Sequence, residues 1–177
     1  MFMSEKRLAW AITGAGHALE ECIEMLVTYE KVDLFLSRAG EEVLSMYGLN
    51  DRLARHGARM YRESHASSPL VSRLFAGIYN VLVIAPATSN SVAKFVHGIS
   101  DTLVTNLFAQ AGKAGVPIIV YPTDLAPEMD TLGPHGERLK VYPRTIDLDN
   151  TRRLREFAGV QAVIDSRELG KCLATFL

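Results

Sequence analysis

A chain of 177 residues, 48% hydrophobic and 22% charged, carries enough apolar side chain for one sizeable core, so a single domain over 1–177 is expected. Its formal net charge of −1 supplies no basic field of the kind nucleic acid needs. No apolar run reaches the length of a membrane span, and residues 1–7 lack the apolar core of a signal peptide, which makes the cytoplasm the expected compartment. Cys22 and Cys172 stand far apart and in no metal-type spacing, so both read as buried free thiols and no metal site is expected.

Residues 7–13 read as the first strand, followed by the turn Gly14-Ala15-Gly16-His17 and a helix over 18–29 with Leu19, Cys22, Ile23 and Leu26 on one face. A glycine turn between strand and helix lets backbone approach a ligand, yet Leu19 stands where a dinucleotide fingerprint would place its third glycine. Residues 32–36 form a second strand. Ser37-Arg38-Ala39-Gly40 then leads into a helix over 41–46. The segment 50–68, with Arg52, Arg55, Arg59 and Arg62, reads as a solvated, partly helical excursion ending in a loop over 64–69, and 70–78 as a short helix.

The run 81–85 is short, continuous and β-branched, which suits a central strand buried on both faces; Pro86 is expected to end it. Ala87, Thr88, Ser89, Asn90 and Ser91 follow, small and polar. Val92, Phe95, Val96, Ile99, Leu103 and Leu107 then recur at helical steps, so one amphipathic helix over 92–107 is expected, capped by Ser89, Asn90 or Ser91. A polar loop between a strand's carboxyl end and a helix N-terminus can seat an anionic ligand or be an ordinary capped connection, and spacing alone leaves both open. Beyond it come a glycine-capped exit at 111–115, a strand over 116–121, Thr123 at its end, and a loop or small hairpin over 131–150. A helix over 151–157, a strand over 160–164 and a helix over 167–176 capped by Asp165 and Ser166 complete the chain. This alternation predicts an α/β fold: a three-layer, doubly wound parallel sheet of Rossmann or flavodoxin type. The turn 14–17, Ser37, the loop 87–91 and Thr123 each follow a strand, so they converge on one edge.

The ordered run 85–91, with Lys94 and 97–105 after it, resembles the signature of the flavoprotein family that includes phosphopantothenoylcysteine decarboxylases. The resemblance implies bound FMN. Gly14, Ala15, Gly16 and His17 would lie along the flavin. Ser37, with Arg38 beside it, would hold the phosphate. Ala87, Thr88, Ser89, Asn90 and Ser91 would form the loop, with Asn90 near the isoalloxazine ring and Thr123 close by. Two departures count against cysteine decarboxylation. Ser72 stands at the position of the decarboxylase histidine, with His65 in a different context, and Pro122-Thr123-Asp124-Leu125 replaces the substrate clamp. The turn with Trp10, Ile12, Thr13, Gly14 and Gly16 is similar to the archaeal-type branch. That branch implies an FMN-dependent oxidoreductase reducing dihydromethanopterin or a related dihydropterin by ping-pong transfer, with a small-molecule or protein electron donor. No residue is assigned a catalytic role. The family also implies a homo-oligomer built from trimers. The alternatives are a phosphopantothenoylcysteine decarboxylase-like enzyme, a flavin prenyltransferase and a non-catalytic flavin electron carrier.

Overall fold

The computed structural model describes residues 7–63 and 69–176. The chain begins with β1 (Arg7–Ile12), α1 (Leu19–Leu26), β2 (Val32–Leu36), α2 (Arg38–Met46), α3 (Asn50–His56) and β3 (Arg59–Arg62). A 3-10 turn (Pro69–Leu74) precedes β4 (Tyr79–Ala87), α4 (Ser89–Val96) and α5 (Leu103–Ala114). Then come β5 (Ile118–Pro122), β6 (Met129–Leu132), β7 (Arg138–Val141), α6 (Thr145–Leu154), β8 (Val160–Ala162) and α7 (Ser166–Leu173).

Six strands form one sheet in the order β3-β2-β1-β4-β5-β8, and every pairing in it is parallel. This is the expected doubly wound arrangement. The order reverses between β1 and β4, and in such sheets the crevice opens there, beyond the strands' carboxyl ends. Strand side chains alternate between the two faces. Trp10, Leu34 and Val83 therefore pack with α1, α2 and α7 on one side, while Ala11, Phe35 and Ile84 pack with α4 and α5 on the other.

A buried charge ties down the opposite, amino edge. Asp33 is fully buried. Its Oδ1 accepts from Arg7 Nε at 2.7 Å, and its Oδ2 accepts from Arg73 Nη2 at 3.0 Å and from Tyr79 Oη at 2.7 Å. These bonds fasten the 3-10 turn, which carries Arg73, to the sheet.

Several expectations are corrected. The single helix over 92–107 is two helices. Gly98 turns the chain at φ +70°, Ile99 is 47% exposed, and Thr102 and Thr105 cap α5 reciprocally. Pro86 does not end the central strand. β4 continues to Ala87, which pairs with Pro122 after a register shift, and side chains of β1 and its following turn take the carbonyls: Trp10 Nε1 donates to Ala85 at 2.8 Å and Thr13 Oγ1 to Pro86 at 3.0 Å. The polar excursion contains an edge strand, β3. The expected helix over 70–78 is the shorter 3-10 turn. The region 131–150 holds most of the hairpin β6–β7 and the start of α6, six residues before the expected 151. The loop 64–68, with His65, lies outside the described residues. Among those described, no helix is long and apolar enough to cross a membrane.

Candidate functional site

Thr13 staples the switch point. It is buried, its hydroxyl donates to Pro86 O, and it accepts from the Thr88 backbone N–H at 2.9 Å. One side chain thus uses both hydrogen-bonding capacities to fix the end of β1 against the loop after β4.

The glycines around it are required by close packing. A Cβ on Gly14 would lie 2.5 Å from the methyl of Ala39, and one on Gly40 would lie 2.6 Å from the carbonyl oxygen of Ile12. Together they let the first turn of α2 rest on the end of β1. The space beside Gly14 is filled by Ala39 of this chain. A Cβ on Gly16 would meet the Tyr47 hydroxyl.

Ser37 caps α2, its Oγ accepting from Gly40 N–H at 2.9 Å, which leaves the hydroxyl proton free to be donated elsewhere. The Arg38 side chain is exposed. Its backbone N–H donates to Glu63 Oε2 at 3.1 Å, and the other oxygen of Glu63 accepts from Leu103 N–H at 2.8 Å. One carboxylate therefore bridges the starts of α2 and α5. The cap of α4 is Thr88, whose Oγ1 accepts from Ser91 N–H at 3.2 Å; this corrects the expectation of Ser89, Asn90 or Ser91, because the helix begins earlier than its apolar stripe.

Two cavities at this edge hold most of the predicted residues, and a third, of about 200 Å³, opens beside Gly16, His17 and Tyr47. The first, of about 330 Å³, is bordered by Gly14, Ser37, Arg38, Asn90, Ser91 and Lys94. The second, of about 300 Å³, is bordered by Ala15, Gly16, His17, Ser89, Thr123 and Asp124. Thr88 lines both. Ala87 lines neither; it is fully buried and offers its carbonyl to the Thr123 N–H at 3.0 Å and Oγ1 at 3.3 Å. The structure thus gathers the sequence-derived residues at one edge and divides them between two compartments, with Asn90 on the Ser37 side.

The hairpin β6–β7 roofs the second cavity. Tyr47 Oη donates to Leu132 O at 2.9 Å, and His17 Nδ1 pairs with Thr131 Oγ1 at 3.1 Å. Burial holds the His17 imidazole below its usual range, against the opposing pull of Glu21 and Asp124. The neutral ring is the form the fold accepts. Its contribution is complete above the ordinary imidazole value near ~6.5 and is lost as pH falls through the lowered one. NMR titration should therefore place His17 below that value, and His17→Gln should remove part of the acid sensitivity of stability. A His17 resonance titrating at or above the ordinary value contradicts this.

The start of α4 favours an anion in the first cavity, while the Glu63 carboxylate, which also lines it, is taken up by the first amides of α2 and α5. α1 opens with Glu20 and Glu21, whereas α4 has no acidic residue in its first turn. Lys94 lines the cavity while holding both oxygens of Asp101 at 2.9 Å. Thr13, Glu63 and Tyr47 were not anticipated from sequence. Thr13 gives the weak signal of a hydroxyl ending an apolar strand; Glu63 follows an edge strand with no clear pattern.

Among known families, the one described as Flavoprotein matches residues 2–174. The chain belongs to the flavoprotein family. This flavoprotein is 34% identical over 174 residues to an uncharacterised protein of Methanocaldococcus jannaschii, covering 94% of each chain. It is 42% identical over 136 residues, 70% of its length, to dihydromethanopterin reductase (acceptor) of Methanosarcina mazei, and that match spans 57% of the reductase. Among solved structures, Burkholderia xenovorans DmrB in complex with FMN, described as a cubic protein cage for redox transfer, superposes with a TM-score of 0.89 at 43% identity, covering 98% of this chain and 96% of DmrB.

Proposed function

We propose that this flavoprotein binds FMN across the two cavities and reduces a dihydropterin of the dihydromethanopterin class to the tetrahydro level, in ping-pong alternation with a small-molecule or protein electron donor. The observation that carries this reading is the near full-length likeness to FMN-bound DmrB, supported by the partial match to the reductase.

The donor set suits the group. First-turn amides of Ala39, Ser89 and Asn90 have no partner within their own helices. With the Ser37 proton and the Arg38 and Lys94 charges, they suit the phosphate in the first cavity. Ala15, Gly16, Ser89 and Thr123 are small and leave room for a planar ring in the second. FMN supplies hydride-level two-electron chemistry when bound. The chain's own part is placement. Thr13 fixes the Thr88 loop between the phosphate and ring compartments, and the hairpin, held by Tyr47 and His17, limits water over the ring. A cubic assembly contains threefold axes, so a trimer-based homo-oligomer fits a chain this similar to DmrB.

The test is spectroscopic. The purified protein is expected to be yellow and to be reduced anaerobically by a chemical donor. Dihydromethanopterin should then reoxidise it, with parallel double-reciprocal plots in steady state. A colourless protein that refuses FMN, or a reduced flavin that no dihydropterin reoxidises, overturns the proposal.

A further inference from the structure

We infer that Asp124 is the residue that selects the substrate, its carboxylate accepting the paired N–H donors, ring N3–H and exocyclic 2-amino, along the pyrimidine edge of a 2-amino-4-oxopterin. The inference rests on the pterin-reductase reading above and names the specificity element within it.

Asp124 lies just past the end of β5 and lines the second cavity, in which a dihydropterin would stack on the flavin ring placed there above. It is the single acidic residue among those lining that cavity. Its main chain is anchored, because its carbonyl accepts from Thr151 Oγ1 at 3.1 Å. Its carboxylate has no hydrogen bond among the described residues, although the residue is half-buried. The nearby cations do not claim it. Arg144 is committed to Asp147 through Nε at 2.9 Å and Nη2 at 2.8 Å, and His17 Nδ1 pairs with Thr131 Oγ1 at 3.1 Å.

A half-buried carboxylate with no partner among the described residues is open to solvent in the free protein and available to donors that a ligand brings. A carboxylate presents two parallel acceptors, and the partner that satisfies both is a planar edge with two adjacent N–H groups. The 2-amino-4-oxopyrimidine edge of a pterin has that pattern. A lumazine, with a 2-oxo group in place of the amine, turns an acceptor toward the carboxylate and is repelled.

The test uses the FMN-loaded, full-length protein, reduced anaerobically. Reoxidation is followed with dihydromethanopterin, with 7,8-dihydropterin, with 7,8-dihydrolumazine and with ferricyanide. Asp124→Asn should lower kcat/KM for dihydromethanopterin by roughly 30- to 100-fold, mainly through KM, and should narrow the preference of dihydropterin over dihydrolumazine. Asp124→Glu should recover part of that preference. Flavin content and the ferricyanide rate, measured on each variant, separate a loss of flavin from a loss of pterin recognition. Wild-type-like pterin kinetics in an Asp124→Asn protein that retains its flavin overturn the inference while leaving the reductase reading in place. A wild-type protein that is reoxidised by ferricyanide and by neither dihydropterin overturns both.

Discussion

Asp33→Ala is expected to destabilise the protein by about 3 kcal/mol. The mechanism is a stranded cluster. Asp33 accepts three hydrogen bonds at full burial, and removing it leaves the Tyr79 hydroxyl and two guanidinium groups without their shared acceptor. The value lies at the low end for a broken buried ion pair because the side chains of Arg7 and Arg73 remain 19% and 28% exposed and can recover water. Arg73 also stacks over the Tyr61 and Tyr79 rings, 5.7 and 5.9 Å from their centroids, and that packing loosens with it. For a chain of this size the loss corresponds to roughly 6–12 °C in Tm. Urea and thermal unfolding at fixed protein concentration measure it, since assembly would make the midpoint concentration-dependent. A shift under about 1 kcal/mol would mean that the cluster is ornamental to stability.

The second large effect is expected at Gly40. The Cβ of Gly40→Ala would stand 2.6 Å from the Ile12 carbonyl oxygen and 3.2 Å from Ser37 Oγ. The obstacle is backbone, so the first turn of α2 must move. Overpacking of this kind costs about 1–3 kcal/mol, and the Ser37 cap on the Gly40 N–H loosens with it. FMN affinity should fall by at least about tenfold, a loss of ~1.4 kcal/mol of binding free energy. Riboflavin, which lacks the phosphate, should lose much less. Titrating both flavins by fluorescence separates the cases. Equal losses would locate the damage outside the phosphate compartment, and unchanged FMN binding would remove α2 from the cofactor site.

The central sheet was legible because its strands are short apolar runs with small or polar residues at their carboxyl ends. Runs of that type placed β1, β2, β4 and β5 and, with them, the convergence of Gly14, Ser37, Thr88 and Thr123. The break between α4 and α5 was hidden by Ile99, which keeps helical spacing with Phe95 and Leu103 yet sits on the exposed connection. Gly98 and the reciprocal Thr102 and Thr105 cap are the local signals that outweigh that periodicity. β3 escaped notice because it is an edge strand with only Met60 and Tyr61 half-buried. The start of α6 was expected six residues late because its first turns are mostly polar and begin on a side-chain clasp between Arg144 and Asp147. Glu63 could not be read from sequence at all. Its role depends on two helix starts, at Arg38 and Leu103, that only the folded chain brings together.

The split of the expected long helix multiplies the number of helix beginnings that look onto the first cavity: α2, α4 and α5 each contribute residues there. Each beginning carries about half an elementary charge, and the Glu63 carboxylate, which accepts from the first amides of α2 and α5, offsets theirs, so the start of α4 is left as the unopposed dipole. Peptide dipoles bind no protons. Their attraction is therefore invisible to a tally of ionisable groups, and acidification that charges His17 leaves it untouched. A chain with a formal charge of −1 thus keeps, at the start of α4, a local positive field that its ionisable groups do not record.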